Sequence, residues 1–213
     1  MSDSRWPIAT SLNPDDLSAA VSILAAAFDD EPVFSAVLTD VHEKRACLPA
    51  LFRADLTNAL RYGGVVCVHD PSGAMAGTSY WTMQPEPERS DSENVEIGYV
   101  DLIARWRTQL KPLGEIEGAS HRRLDFLPTP WRYLAGIGVR PDLQGQGYGT
   151  AMLRYLIAQA VADGVPFALS TDRAINVTLY ERLGFYVVHH EPETSVGAPF
   201  WTMLYAPPKL DSM

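Results

Sequence analysis

The residues Gln144-Gly145-Gln146-Gly147-Tyr148-Gly149-Thr150 concentrate backbone chemistry in one short stretch. Glycine at alternate positions removes every second Cβ, so the chain can wrap closely around a bulky anion. Helical periodicity follows at once, with apolar residues at Met152, Leu153, Leu156, Ile157, Ala160 and Val161. The first-turn amides of such a helix lack intrahelical partners and point outward at the positive end of its dipole. A diphosphate suits that arrangement; the alternative is an ordinary glycine-rich strand-to-helix turn, since short glycine motifs recur without ligands. Further on, Asn176 and Tyr180 stand four apart, hence on one helix face. Tyr180 could equally be a core tyrosine with a satisfied hydroxyl. Asp30 and Glu31 supply carboxylates at a helix break, where solvated cap residues are the bland alternative. The histidines (His42, His69, His121, His189, His190) show no metal-binding spacing, so no metal is expected. Cys47 and Cys67 make neither a disulfide framework nor a zinc pattern.

These side chains need a scaffold, and the punctuation of the chain supplies one. The apolar run Tyr133 to Val139 reads as a strand that Arg140-Pro141-Asp142-Leu143 breaks, because proline cannot donate to a ladder. After the glycine-turn helix come a short strand at Phe167-Ala168-Leu169-Ser170 and a helix from Asn176. Strands at Phe185 to His189 and Phe200 to Tyr205 close the chain as an antiparallel pair. Upstream, Ile8-Ala9-Thr10 reads as a first strand. Asn13-Pro14-Asp15-Asp16 starts a helix that runs to Phe28. Asp29-Asp30-Glu31-Pro32 breaks it, and Pro32 to Leu38 forms a second short helix. Glu43 to Tyr62 reads as a longer helix, with Pro49 either kinking it or marking its true start. Gly63-Gly64 ends that helix. Val65 to His69 and Ala74 to Met83 form a hairpin around Asp70-Pro71-Ser72-Gly73. Gln84 to Glu93 reads as a loop, Val95 to Leu110 as helical, and Leu113 to Phe126 as another helix. The sum is an α/β chain with a mixed sheet and helices on both faces.

A chain of 213 residues with 46% apolar and 20% charged content predicts one soluble globular domain. Its net charge of −9 disfavours nucleic acid and anionic membranes. Such acidity suits cationic or amine-bearing partners, or plain solubility. The N-terminus lacks a basic start and an apolar core segment, so no secretory signal is expected. No apolar run reaches the ~20 residues of a membrane span. A cytoplasmic address is expected.

Val139-Arg140-Pro141 followed by Gln144 to Gly149 resembles the Q/R-x-x-G-x-G/A signature of the GNAT superfamily of acyl-CoA N-acyltransferases. Asn176 to Phe185 resembles a second block of that family, and the spacing of Asn176 and Tyr180 is similar to its puromycin N-acetyltransferase branch. Many members place the asparagine seven residues before the tyrosine, where this chain has Arg173. A Rossmann turn is the rival, but its third glycine position is Thr150, and no Walker lysine follows. The resemblance implies a GNAT-type, mostly antiparallel sheet splayed at the coenzyme-binding strands. It implies a single domain over residues 1–213 with an inserted helical segment at about 85–130. It also implies acetyl-CoA as cosubstrate.

Carried over residue by residue, the main-chain groups of Ile137, Gly138 and Val139 hold the pantetheine arm. The amides of Gln144, Gly145, Gln146, Gly147, Tyr148, Gly149 and Thr150 hold the diphosphate. Asn176 contacts the coenzyme arm, and Tyr180 gives a proton to the departing thiolate, a role that suits a phenol neutral at pH 7. Gly136 and Gly138 fit close approach of the ligand, or a bulge. The attacking amine must lose a proton, since alkyl ammonium groups titrate near pH ~10. Asp30 and Glu31 are the candidate bases, with Ser170, Asp172 and Tyr133 weaker options. The acceptor pocket is expected from Phe28 to Phe34, Tyr80-Trp81 and the 95–126 segment with Tyr99, Asp101, Trp106 and Phe126; alternatively that segment merely covers the sheet. The expected reaction is direct acetyl transfer to a small-molecule primary amine by a monomer or homodimer, with no nucleic acid or membrane partner. A protein or peptide N-acetyltransferase, or a non-catalytic acyl-CoA-binding module, are the alternatives.

Overall fold

The computed structural model describes residues 7–207. Strand β1 (Ala9–Ser11) leads through a 3-10 turn to helices α1 (Leu17–Ala27), α2 (Pro32–Val37) and α3 (Val41–Tyr62). Strands β2 (Gly63–His69) and β3 (Met75–Gln84) form a hairpin, followed by α4 (Asp91–Ile97) and α5 (Tyr99–Arg122). Then come β4 (Trp131–Val139), α6 (Tyr148–Asp163), β5 (Phe167–Thr171), α7 (Ala174–Arg182), β6 (Tyr186–Glu191) and β7 (Phe200–Tyr205). One seven-stranded sheet orders them β1-β2-β3-β4-β5-β7-β6. Only the β4–β5 pair is parallel. Among the described residues no helix is long and apolar enough to cross a membrane.

The mixed, mostly antiparallel sheet with helices on both faces is the expected class. Several boundaries differ. Asp40 caps α3, its carboxylate accepting from the amides of His42 and Glu43 at 2.8 Å each, so the helix starts before Glu43 and runs through Pro49. Gly63 ends α3 and opens β2 with no loop between them; a Cβ there would sit 1.9 Å from the Trp81 carbonyl oxygen. The expected loop at 84–93 ends early, because Ser90 and Glu93 form a reciprocal capping box that starts α4 at Asp91. The helix break then falls at Gly98, whose φ of +100° ends α4, and not between Leu110 and Leu113. Helix α5 carries Pro112 inside it and one irregular residue, Trp106.

One face of the sheet packs under α1, α3 and α5 through Leu24, Leu48, Phe52, Leu56 and Cys67. The other packs on α6 and α7 through Met152, Leu156, Phe167, Leu169 and Met203. The central strands then separate. Parallel pairing of β4 with β5 covers Arg132↔Phe167, Tyr133↔Ala168 and Leu134↔Leu169 and stops. At the same place the β3–β4 register jumps from Tyr80↔Gly136 to Trp81↔Leu134, which makes Ala135 the extra residue of a bulge. Bulges bend a strand and increase its twist. The bend therefore begins where β5 is lost, and the β5-side edge of β4 beyond it has no strand beside it.

The glycines of β4 serve the fold in a way the sequence reading did not anticipate. A Cβ on Gly138 would lie 2.9 Å from the Ala27 Cβ and 3.2 Å from Leu24 Cδ2, so the close approach here is that of α1. A Cβ on Gly136 would lie 2.4 Å from Tyr80 Cε1. Both side-chain positions are thus taken by protein, while the bulge beside Gly136 is the alternative the sequence also allowed. Overpacking of this kind typically costs ~1–3 kcal/mol, so Gly138→Ala should lower the melting temperature. Gly114→Ala, inside α5 with nothing within 4 Å of the new methyl, should raise stability by about 0.5–1 kcal/mol instead. Thermal unfolding of the two variants side by side checks this, and equal shifts would contradict the packing assigned to Gly138.

Candidate active site

The parting of β4 and β5 opens a cavity of about 340 Å³. Leu134 to Ile137 form one wall and Ser170 to Asp172 the other, with Phe28 and Glu31 at the turn between α1 and α2. Helices α3 and α5 close it with Phe52, Asp55, Leu113 and Glu117, and α7 contributes Asn176 and Tyr180.

Tyr180 is 4% exposed and sits edge-on to Phe185 at 5.8 Å. Among the described residues its hydroxyl meets no hydrogen-bond partner, although the residue lines the cavity. Burial, then the charges of Glu31 and Asp172, push the phenol well above its ordinary range. It therefore keeps its proton at neutral pH. One turn earlier, Asn176 Nδ2 donates to Thr171 Oγ1 at 3.2 Å, tying α7 to the end of β5.

Across the cavity Asp172 Oδ2 accepts from the Val33 amide at 2.8 Å. Glu31 hydrogen-bonds to Asp172, and its Oε1 lies 3.0 Å from Arg173 Nε. Two carboxyls in contact cannot both ionise cheaply. Burial first, then the hydrogen bond and charge of Asp172, push Glu31 up to about 8, with Arg173 opposing. Glu31 therefore holds a proton at neutral pH and can exchange it near there. Asp30 is different: 81% exposed and paired with Arg173 at 2.9 Å, it lies outside the cavity lining. Arg173, which stands at the more common asparagine position, also binds the Asp30 carbonyl at 2.8 Å and so fixes the α1–α2 turn.

Two further acids were not anticipated. Asp55 accepts from Tyr80 Oη at 3.0 Å and Tyr99 Oη at 2.9 Å, and burial pushes it up to about 6 against the pull of those two phenols. Glu117 is exposed by surface area and lines the cavity wall; lost hydration there, then the charges of Asp55 and Glu86, raise it to about 7. The signal was present in the sequence. Asp55 interrupts the apolar stripe Leu48, Leu51, Phe52, Leu56, Ala59, and Glu117 the stripe Leu110, Leu113, Ile116.

Trp81 is not part of this cavity. Successive strand residues face opposite sides, so with Tyr80 in the cavity Trp81 points the other way, where the Arg132 guanidinium lies 4.2 Å above its ring. Asp101, Trp106 and Phe126 are likewise absent from the lining, whereas Tyr99 is present. Trp106 is core, and Phe126 is 65% exposed. Cys47 and Cys67 are buried and also outside the lining, and burial pushes the Cys47 thiol up to about 11.

The glycine turn follows the free end of β4. Gly145 and Gly147 adopt φ of +75° and +91°, and Gly147 caps α6 without any side-chain cap. A Cβ on Gly145 would meet nothing within 4 Å, so the turn is open. Gln144 Nε2 reaches back to the Val139 carbonyl at 3.4 Å and Gln146 Nε2 to that of Asp142 at 3.3 Å. The Tyr148 ring is buried against α6 and the sheet, which leaves only its amide for a ligand.

Comparison with known proteins agrees with this architecture. Residues 74–185 match the model of the acetyltransferase (GNAT) family. A Corynebacterium glutamicum protein of the histone acetyltransferase HPA2 and related acetyltransferase type shares the fold with a TM-score of 0.69 and 23% identity, over 97% of this chain and 99% of that one. Drosophila melanogaster polyamine N-acetyltransferase, which catalyses the formation of N-acetylagmatine, gives 0.65 and 12% identity over 93% and 99%. The ribosomal-protein-S18-alanine N-acetyltransferase of Escherichia coli gives 0.53 and 18% identity over 96% and 97%. At these identities the likeness to solved structures is one of fold. With more than half its length matched by the family model, the chain belongs to the GNAT acetyltransferase family and is an N-acetyltransferase.

Proposed function

We propose that the protein transfers an acetyl group from acetyl-CoA to the primary amine of a small molecule, by direct attack in a ternary complex. One observation carries this reading: a single cavity at the β4–β5 splay joins an unpartnered phenol, Tyr180, to Glu31, a carboxyl raised toward neutrality beside Asp172. Enzymes of the family use an acyl-CoA, and the residues here fit one. The turn from Gln144 to Thr150 is open and uncapped, and the backbone of Ile137 and Gly138 lies on a strand edge without a neighbour. When bound, acetyl-CoA supplies a thioester-activated acetyl group. Glu31, relayed through Asp172, accepts the proton of the incoming ammonium, and Tyr180 Oη holds the proton that the departing sulfur requires. Asn176 keeps α7, and with it Tyr180, in register with β5. Its four-residue spacing to Tyr180 supports the puromycin-type branch.

The acceptor wall favours a small molecule over a polypeptide, since α5 closes the cavity with Leu102, Leu110 and Leu113. A pure binding module would gain nothing from burying Glu31 beside Asp172, an arrangement that costs stability. We also read the chain as one domain acting in the cytoplasm as monomer or homodimer; its two free, buried thiols suit a reducing compartment. The direct test is thiol release from acetyl-CoA against a panel of aminonucleosides, alkyl amines, polyamines and peptides. Release with peptides alone would overturn the small-molecule reading.

Three variants test the parts. Gly147→Val demands a φ of +91° from a branched residue and crowds the diphosphate turn, so coenzyme A affinity by calorimetry should fall while circular dichroism stays native. Unchanged affinity would move the diphosphate elsewhere. Tyr180→Phe removes only a hydroxyl that has no partner in the fold. Its melting temperature should hold or rise while kcat drops ~10²-fold or more, and full kcat would exclude the acid role.

Glu31 gives a pH signature. Raised from 4.5 to about 8, it is a competent base only as pH climbs through 8, so the rate should show an acid limb there that Glu31→Gln removes. The stability linkage has the opposite sense. A raised carboxyl binds its proton more tightly when folded, so its contribution is full below 4.5 and is lost as pH rises through 8. Glu31→Gln should therefore flatten the decline of melting temperature over that window. A wild-type decline retained in the variant would place the titration on another group.

A further inference from the structure

Behind the cavity that holds Tyr180 lies a second chamber of about 140 Å³. Asp55, Tyr80, Tyr99, Glu117, Tyr133 and Ala135 line both, so the two adjoin across these residues. The first cavity carries Glu31 and Asp172 with Tyr180, the apolar side chains of Phe28, Phe52 and Leu113, and the carboxylates of Asp55 and Glu117.

The far acids have no countercharge of their own. Neither Asp55 nor Glu117 forms an ion pair among the described residues. The nearby cation, Arg89, is spent on Glu86, on Asn58 at 3.1 Å and on the ring of Tyr99. His121, in the rear chamber, is kept neutral by burial. Each Asp55 oxygen is held by one phenol, which fixes the carboxylate and leaves a lone pair on each oxygen free. A carboxylate drawn out of water without a cation of its own is costly, and both groups are shifted toward their protonated forms, Glu117 while keeping much of its surface accessible to the cavity. A cation arriving there would favour their charged forms, adding to the pull that Arg89 already exerts on Asp55.

Resting on the amine-acetyltransferase reading, we propose that the acceptor is an aliphatic amine bearing a second cationic group, and that Asp55 and Glu117 bind that distal cation. One end of the molecule reaches Glu31, Asp172 and Tyr180; its apolar spacer lies along Phe28, Phe52 and Leu113; its other cation enters between Asp55 and Glu117. The subsite selects by charge at a position remote from the reacting nitrogen, and so acts as a specificity determinant and not as part of the chemistry.

The test compares linear diaminoalkanes of increasing chain length with the monoaminoalkanes of equal length. Wild-type kcat/KM should favour the best diamine over its monoamine by at least about tenfold, carried mainly in KM, as expected for a desolvated charge pair. That ratio should collapse toward one in Glu117→Gln and in Asp55→Asn. Glu117→Gln is isosteric and makes no hydrogen bond to lose, so it remains informative even where Asp55→Asn disturbs Tyr80 and Tyr99. A wild-type ratio near one, or a ratio undiminished in Glu117→Gln, overturns the subsite while leaving the acetyltransferase reading intact. Should no amine release thiol, that reading fails on its own, and calorimetric titration of the same amine pairs into the protein still decides. A diamine that binds no tighter than its monoamine then overturns the subsite.

Discussion

The structure turns on the parting of β4 from β5. Three paired positions hold the two strands together, and at Ala135 a bulge sends β4 away. Backbone groups inside a sheet are normally committed to their neighbours, because an unpaired buried amide or carbonyl costs as much as a lost hydrogen bond. Separating two central strands therefore needs something to occupy the gap. Here the gap holds a cavity, an exposed strand edge and the residues after β5. It also sets where every reactive side chain arrives. Ser170 to Asp172 come off the freed end of β5, α7 follows them directly, and the α1–α2 turn reaches across to meet Asp172 through the Val33 amide.

Burial then sets the chemistry of what has been assembled. Tyr180, Glu31, Asp55 and Glu117 all move in the direction that favours their neutral forms, and desolvation is the leading cause in each case. Such groups are poor contributors to stability. Their concentration on one cavity, while exposed acids such as Asp30 are neutralised by ordinary ion pairs, marks the cavity as the place where function has displaced stability. Among these acids only Glu31 is raised to about 8 beside a second carboxyl, that of Asp172.

Much of this was legible before the structure. Proline and glycine punctuation gave the order of strands and helices, and the glycine turn with its helix could be placed from Gly145, Gly147 and the apolar periodicity alone. What escaped was mostly a matter of direction in space. Tyr80 and Trp81 were read as a unit, although the two-residue period of a strand sends them to opposite faces. Asp30 and Glu31 were read as equals, yet only Glu31 turns inward, and Arg173 holds Asp30 outside. Asp55 and Glu117 lie far apart in sequence, so their meeting could not be read locally, although each breaks an apolar helix stripe. The start of α4 was readable from Ser90 and Glu93 and was obscured by the prolines before them. The role of Gly138 depended on how closely α1 would settle on β4, which no local pattern encodes.

The charge layout explains how an acidic protein can handle an anionic cosubstrate. A net charge of −9 repels a diphosphate at long range, but the interaction is screened beyond about 8–10 Å at ordinary ionic strength. Within that distance only local groups matter, and the two ends of the site are made differently. The carboxyls gather on the α1, α3 and α5 side of the splay. The first turn of α6 contains no acidic residue, and Asp142, just before it, is neutralised by Arg140 at 2.7 Å. Arg140 is in turn shared with Asp70 at 3.1 Å, so its guanidinium is already committed to two carboxylates. The two ends of the site thus differ in kind, with backbone donors and the helix dipole at the α6 turn and carboxyl groups on the α1, α3 and α5 side.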